Sequence, residues 1–395
     1  MVQLTTERYF LNALGMVNAL GGDVATIARG LAAGDTSGMG EATIGRTHAF
    51  VGRVQSPLDV APPASLSYLD CRNNRLLLAA LAQIEPTLEQ MRTRYGGGRI
   101  AVVLGTSTSG IEAGEAALYN QHQGGSLPPS FDYRQMEIGS VAPFLAEVCG
   151  LAGPAFTVST ACTSSAKAFA SARRLLRADL CDAVIVGGVD SLCELTLLGF
   201  GSLASTSPTL TNPLSARRSG INIGEGAALF VMSREAGPAW LAGVGESSDA
   251  HHLSAPDPEG VGGELALRGA LADAGIEASA VGYVNLHATA TPKNDEMESA
   301  LMDRVFPDGV PTSGTKPLVG HTLGAAGAIE LAFTWLTLTG QTTHLPLHVW
   351  DGIADPALPT LDLVETPRTL GGRRFAMSNS FAFGGSNASL ILGAD

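Results

Sequence analysis

Short, uninterrupted apolar runs alternate along this chain with longer segments whose apolar positions recur at helical spacing. Arg99–Gly105 (Arg-Ile-Ala-Val-Val-Leu-Gly) and Asp182–Gly188 (Asp-Ala-Val-Ile-Val-Gly-Gly) are the clearest of the short runs. Runs this brief and this apolar predict strands buried on both faces. Tyr9–Asn18, Phe156–Thr160, Glu225–Met232, Trp240–Gly245, Val281–Leu286, Arg374–Asn379 and Ala388–Gly393 complete the predicted strands. Helical spacing predicts helices over Asp70–Met91, Gly139–Cys149, Cys162–Leu176, Gly263–Ala274, Asp295–Val305 and Leu323–Leu338. Asp23 is placed to cap a further helix over Asp23–Ala32. Residues 34–66 and 200–220 are rich in turn formers and predict irregular excursions.

Strands alternating with helices imply an α/β fold with helices on both sheet faces. The second half echoes the first. A strand, a small-residue turn and a buried helix at 156–176 have a counterpart at 311–338, where Ala325, Ala326, Gly327 and Ala328 take the part of the earlier alanines. The expected organisation is two similar halves, 1–235 and 236–395, packed face to face with paired helices between layered sheets.

Composition narrows the function classes. At 395 residues with 45% hydrophobic content, the chain can build a large core. A net charge of −13 argues against wholesale nucleic-acid binding. An acidic partner would need a local basic patch. The five cysteines form no CxxC pair, which points to a reducing compartment, with Cys71, Cys149, Cys181 and Cys193 read as core packing. No signal sequence and no long apolar span are read. The longest candidate, Leu323–Leu338, carries Glu330 and reads as a core helix. A soluble, cytoplasmic protein is expected. His251 and His252 with Asp249 and Asp257 lie in a loop without a ligand pattern, so no metal site is expected. No glycine-rich dinucleotide motif and no G-x-S-x-G elbow occur at the positions those chemistries need.

Three residues carry candidate chemistry. Cys162 stands at a strand-to-helix turn, where unpaired backbone N–H groups favour thiolate. It reads as a nucleophile mount or, more blandly, as a small core residue. His287 directly follows a predicted strand, the position at which open α/β sheets bind ligands. His321 opens a buried helix, whose dipole disfavours imidazolium and leaves a neutral hydrogen-bond donor. Taken singly, each histidine is also compatible with a satisfied structural residue.

The wording around these residues is more specific. Thr160-Ala161-Cys162-Thr163-Ser164, His287-Ala288-Thr289-Ala290-Thr291-Pro292 and Lys316-Pro317-Leu318-Val319-Gly320-His321-Thr322-Leu323-Gly324-Ala325-Ala326-Gly327 together resemble the β-ketoacyl carrier-protein synthases. Asn379-Ser380-Phe381-Ala382-Phe383-Gly384-Gly385-Ser386-Asn387, Gly224-Glu225-Gly226-Ala227 and Thr106-Ser107-Thr108-Ser109-Gly110 fit the same family in the same order. The resemblance covers nearly the whole chain. It implies a thiolase-type duplicated fold, layered α-β-α-β-α, with two mixed sheets and buried central helices. It also implies that Cys162 accepts an acyl group from a carrier-protein thioester. The N–H groups of Cys162 and Phe383 would hold the oxyanion, and His287 and His321 would hold the enolate left when malonyl carrier protein loses CO₂. The product would be a 3-oxoacyl thioester, formed by ping-pong kinetics.

The same resemblance pairs Lys316 with Glu330, a pairing that a carboxylate in an apolar helix also calls for. It makes Phe383 a gate beside mobile Gly384 and Gly385, lines the substrate site with Phe381 and Gly384, and sets Thr289 and Thr291 against the carrier's pantetheine arm. Asp295 and Glu298 receive a structural or water-ordering role. No cofactor or metal is implied. The partners implied are an acyl carrier protein, acyl and malonyl thioesters, and a second subunit, usually a homodimer mate, with a ketosynthase-like heterodimer mate left open. Two alternatives stand beside this. One is a non-catalytic chain-length subunit, against which the presence of Cys162, His287 and His321 counts. The other is a thiolase acting on coenzyme A thioesters, which needs a second cysteine that residues 379–387 lack. Ala288 and Ala382 stand where the family usually has glycine, predicting stiffer or displaced loops. Ser215 and Ser219 replace acidic residues, and Leu203 replaces a basic docking residue, leaving Arg72, Arg75, Arg217 and Arg218 as docking candidates. The His287–Asp295 wording also resembles condensing enzymes of polyene pathways.

Overall fold

The computed structural model describes residues 7–395; residues 1–6, part of the segment read as lacking a signal sequence, lie outside it. Five strands build the first sheet: β1 (Phe10–Val17), β4 (Ile100–Gly105), β5 (Ala155–Val158), β6 (Ala183–Asp190) and β7 (Gly226–Ser233). A hairpin of β2 (Met39–Ile44) and β3 (Thr47–Gly52) stands apart from it. Five more strands build the second: β8 (Ala239–Ser248), β9 (Val281–Leu286), β10 (Thr312–Gly314), β11 (Phe375–Ala382) and β12 (Ser386–Gly393). Their orders, β1-β7-β6-β4-β5 and β8-β12-β11-β9-β10, are the same permutation. The parallel and antiparallel pairings also correspond strand for strand. The two mixed sheets join where Phe10 pairs with Trp240 and Leu11 with Ala239, making one ten-stranded sheet.

Three cores show how these sheets are covered. β6 is buried along its whole length, and its side chains alternate between two of the cores. Val184 and Val186 face inward to α5 (Ser164–Arg177) and α10 (Ala326–Leu338), joined there by Phe230 and by Leu390 and Leu392 of the second sheet. Ala183 and Ile185 face outward to α2 (Arg72–Tyr95) and α4 (Val141–Val148). On the far side, α7 (Val261–Ala274) and α8 (Pro292–Val305) cover Val284, Met377 and Ile391. The result is five layers, α-β-α-β-α, with α5 and α10 in the middle. The small residues of the central helices let them touch: a Cβ added at Gly327 would lie 2.8 Å from Ala166 Cβ. The remaining helices are α1 (Val24–Ala33), α3 (Ile111–His122), α6 (Glu194–Ser202) and α9 (Lys316–Val319). No helix of the described residues is long and apolar enough to cross a membrane.

Several boundaries differ from expectation. Residues 34–66 hold the β2–β3 hairpin rather than only irregular chain. Helices α3 and α6 have no counterpart in the sequence pattern. The helix after Cys162 starts at Ser164, because Ala161 takes a left-handed φ of 52° and delays it. Likewise α10 starts at Ala326, after a 3₁₀ turn over Leu323–Ala325. His321 therefore stands ahead of the helix rather than in its first turn.

Candidate active site

The candidate residues gather at the C-terminal ends of parallel strands. Cys162 follows β5, His287 follows β9, and after β10 Lys316 opens α9 and His321 follows it. Phe381 closes β11, and Phe383 sits in the turn to β12. Two sheets with the same topology thus deliver the nucleophile from one side and the histidines from the other. Cys162 Sγ lies 3.0 Å from His321 Nε2. The rings of His287 and His321 meet edge to face, their centroids 5.3 Å apart. Lys316 Nζ lies 3.3 Å from His287 Nδ1, donates to the His287 carbonyl, and pairs with Glu330 Oε1 at 2.5 Å. An ammonium can only donate, so Nδ1 of His287 accepts and its ring carries the proton on Nε2.

Burial sets the charge states. Both imidazoles titrate well below the usual histidine value, first because they are buried and then because Lys316 is close. Neutral histidines were expected, but burial and the lysine cause this at His321, not a helix dipole. The thiolate expected at Cys162 is not the resting form. Burial pushes its thiol up to about 12, against smaller opposing effects of Lys316 and the Phe383 N–H. Glu330 is pushed up to about 7 by burial, with Lys316 working the other way. The resting site therefore holds a thiol and two neutral rings.

The loop after β9 is held from beneath. Glu298 accepts the N–H of His287 at 2.7 Å and of Ala288 at 2.6 Å. Asp295 accepts from Ala290 at 3.1 Å and from Leu214 at 2.7 Å. These carboxylates order backbone, which fits the structural role expected of them. Ala288 and Ala290 have φ of 39° and 61°, a conformation that glycine would take more cheaply. Gly314 makes room for the extra methyl: a Cβ there would lie 2.5 Å from Ala288 Cβ.

A cleft of about 310 Å³ opens above Cys162, His287 and His321, and Thr289, Thr291, Phe381 and Phe383 line it. The Thr289 and Thr291 hydroxyls are 2.9 Å apart. Phe383 stacks at 5.2 Å on Phe200, a cleft residue that the sequence reading did not single out. Gly384, expected to line the substrate site, is exposed and not part of the cleft lining; its φ is 84° and its N–H is bonded to the Leu253 carbonyl at 2.7 Å. Lys293, in the first turn of α8, also lines the cleft and was missed, although it directly follows the His287–Pro292 run. His251 and His252 are exposed and gather no ligand set, whereas Asp249 is bonded to Asn387 at 2.6 Å. Among the described residues, the one metal-compatible cluster is Cys162, His287 and His321 themselves, with ligand atoms within 4.8 Å of one another.

Two docking candidates are spent internally. Arg72 pairs at 2.5 Å with the buried Glu225, and Arg218, itself nearly buried, pairs with Asp355 at 2.6 Å. Arg75 pairs with Asp70 at 2.6 Å, while Arg217 is exposed.

Known proteins resemble this chain along most of its length. Residues 72–237 match the family model of the beta-ketoacyl synthase N-terminal domain, and residues 239–349 match that of its C-terminal domain. The chain belongs to the β-ketoacyl synthase family. This synthase is 33% identical to 3-oxoacyl-[acyl-carrier-protein] synthase 2 of Vibrio harveyi, over 76% of each chain. It is 30% identical to nodulation protein E of Rhizobium meliloti, over 98% of its own length and 99% of the relative's. Among solved structures it resembles a chain of the ketosynthase (ApeO) in complex with its chain length factor (ApeC) from Xenorhabdus doucetiae. That likeness has a TM-score of 0.94 and 45% identity, with both chains fully covered. The family is one of condensing acyltransferases with the thiolase fold.

Proposed function

We propose that the protein is a β-ketoacyl-[acyl-carrier-protein] synthase whose half 1–235 supplies the nucleophile Cys162 and whose half 236–395 supplies His287 and His321. The observation that carries this reading is the 3.0 Å approach of Sγ to His321 Nε2 beneath an open cleft. Cys162 attacks the donor thioester, and its proton passes through His321 to the departing pantetheine sulfur. That route keeps a buried site free of net charge change. The N–H groups of Cys162 and Phe383 hold the tetrahedral oxyanion. Phe383 swings to admit the malonyl thioester, with Gly384 and Gly385 as its flexible flank. As CO₂ leaves, its bonding pair becomes an enolate, and His287 and His321 donate from Nε2 to the enolate oxygen. The carbanion attacks acyl-Cys162, the sulfur is expelled and takes a solvent proton, and the 3-oxoacyl thioester departs.

His321 must accept in the first half-reaction and donate in the second. Its Nδ1 is buried without a partner among the described residues, so nothing pins its tautomer. Lys316 pins that of His287 instead, as a permanent donor. Thr289 and Thr291 meet the pantetheine arm, and Phe381 walls the acyl group. No cofactor enters the reaction. An acyl carrier protein in the cytoplasm brings both substrates, and a second subunit completes the assembly. The wording of His287–Asp295 supports a polyene-type pathway, and the likeness to a ketosynthase solved with its chain length factor supports a heterodimer mate.

Intact-mass measurement after incubation with a panel of acyl carrier proteins tests the reading. An acyl-sized gain that vanishes in Cys162→Ala is expected. No gain with any donor, with or without a partner subunit, overturns the enzyme reading and leaves a non-catalytic subunit.

A further inference from the structure

The stretch that follows β9 climbs from the floor of the cleft to its mouth. His287 is 1% exposed and Thr289 is 7% exposed, Thr291 is half-buried and Lys293 is exposed, and all four side chains line the cleft. Ala288 and Ala290 between them are fully buried, and Pro292 and Asn294 join the same wall where α8 begins. With extended spacing up to Thr291 and the first turn of α8 beyond it, the wall spans at most about 20 Å. Its chemistry changes in order: imidazole, two hydroxyls, ammonium.

Lys293 has the marks of a free binding group. It is one of three lysines in the chain. It is the single lysine or arginine among the residues lining the cleft. Among the described residues every salt bridge is made by an arginine, a histidine or Lys316, so Lys293 has no carboxylate to neutralise it. In a chain of net charge −13, an anion entering this mouth meets repulsion from the molecule as a whole, and a local cation decides whether it stays.

A phosphopantetheine arm carries its groups in the matching order: thioester, two amides, then phosphate. We propose that Lys293 binds the phosphate of the arm and so sets how far the thioester reaches toward Cys162. This rests on the synthase reading above. It adds a specificity residue at the entrance, one that separates phosphorylated from unphosphorylated thioesters.

The test compares three acyl donors: acyl-pantetheine, acyl-phosphopantetheine and the acyl carrier protein. The rate of Cys162 acylation is followed by intact mass for wild type, Lys293→Met and Lys293→Arg. The wild type is expected to favour the phosphorylated free arm about tenfold, the scale of one charge-assisted hydrogen bond. Lys293→Met is expected to lose that preference by slowing acylation from the phosphorylated arm, and Lys293→Arg is expected to keep it. An equal preference in wild type and Lys293→Met overturns the proposal. So does a loss confined to the carrier-bound donor, which would place Lys293 against the carrier's protein surface. If wild-type Cys162 is acylated by none of the three, the synthase reading falls and takes this proposal with it. Activity with altered selectivity separates the two failures.

Discussion

At Cys162 the competition is between a hydrogen-bonding neighbourhood and burial, and burial wins. A thiol held up at about 12 is protonated throughout the neutral range, so little thiolate exists to meet a small electrophile. Iodoacetamide should therefore modify Cys162 more slowly at pH 7.5 than it modifies free cysteine. Its rate should keep rising up to and beyond pH 10, where free cysteine has levelled off. A plateau near pH 8 in peptide mapping would contradict the buried-thiol state. His321→Ala removes both the thiol's partner and one enolate donor, so kcat should fall by about 10²–10³ with carrier-bound substrates, the scale of one lost oxyanion donor. Lys316 and Glu330 make a different demand. Glu330→Gln leaves a buried ammonium without its counter-ion and should lower stability by about 3 kcal/mol in urea unfolding. Lys316→Met with Glu330→Leu should recover part of that. The reacting residues were legible because each sits in a run of fixed wording. The protonation states were not, because burial is set by residues far away in sequence. The internal pairs of Arg72 and Arg218 escaped for the same reason, Glu225 and Asp355 being 153 and 137 positions distant.

Among the elements, the loop after β9 and the crossing of α5 with α10 bear most of the constraint. Burial raises Glu298 to about 7, so the folded state holds a proton that the unfolded chain has released once pH exceeds the ordinary carboxylate value near 4.5. The contribution of this group to stability is therefore full below about 4.5 and is lost as pH rises through about 7. Calorimetric scans at pH 5 and pH 7.5 should show a wild-type decline that Glu298→Gln flattens. That variant should also lose activity, since its amide cannot accept from both His287 and Ala288. Gly327→Ala is a sharper probe of the central layer. Alanine gains about 1 kcal/mol in helix propensity. The new methyl, however, would meet Ala166 backbone N at 2.8 Å, and backbone cannot yield as a flexible side-chain tip can. Overpacking should win, with a net loss of about 1–2 kcal/mol in denaturant unfolding. The buried strands and central helices were legible because a segment buried on both sides is apolar throughout. The β2–β3 hairpin was not, because its residues are only half-buried and Gly40 and Gly45 mimic loop chemistry. Helix α6 escaped because several of its apolar residues face outward.

Those outward residues matter to the whole molecule. Leu195 and Leu198 of α6 are more than half exposed, as is Leu118 of α3, which packs against α6. Tyr119 adds a large aromatic on α3, and β5 ends the sheet on an unpaired edge with Phe156 partly exposed. Clustered exposed apolar side chains and an open sheet edge are both surfaces that a chain on its own rarely leaves uncovered. Burying them against a second subunit removes both liabilities together. The duplicated core asks for no such partner, since both sheets are already covered on both faces. Association should therefore be separable from folding. Light scattering should give about twice 40.5 kDa, for the purified chain alone or once a ketosynthase-like mate is added, and Leu195→Lys with Leu198→Lys should halve that mass while leaving the thermal unfolding of the chain nearly unchanged. A wild-type chain that stays monomeric until a ketosynthase-like mate is added would assign the same face to a heterodimer. A double variant that associates as tightly as wild type would place the interface elsewhere.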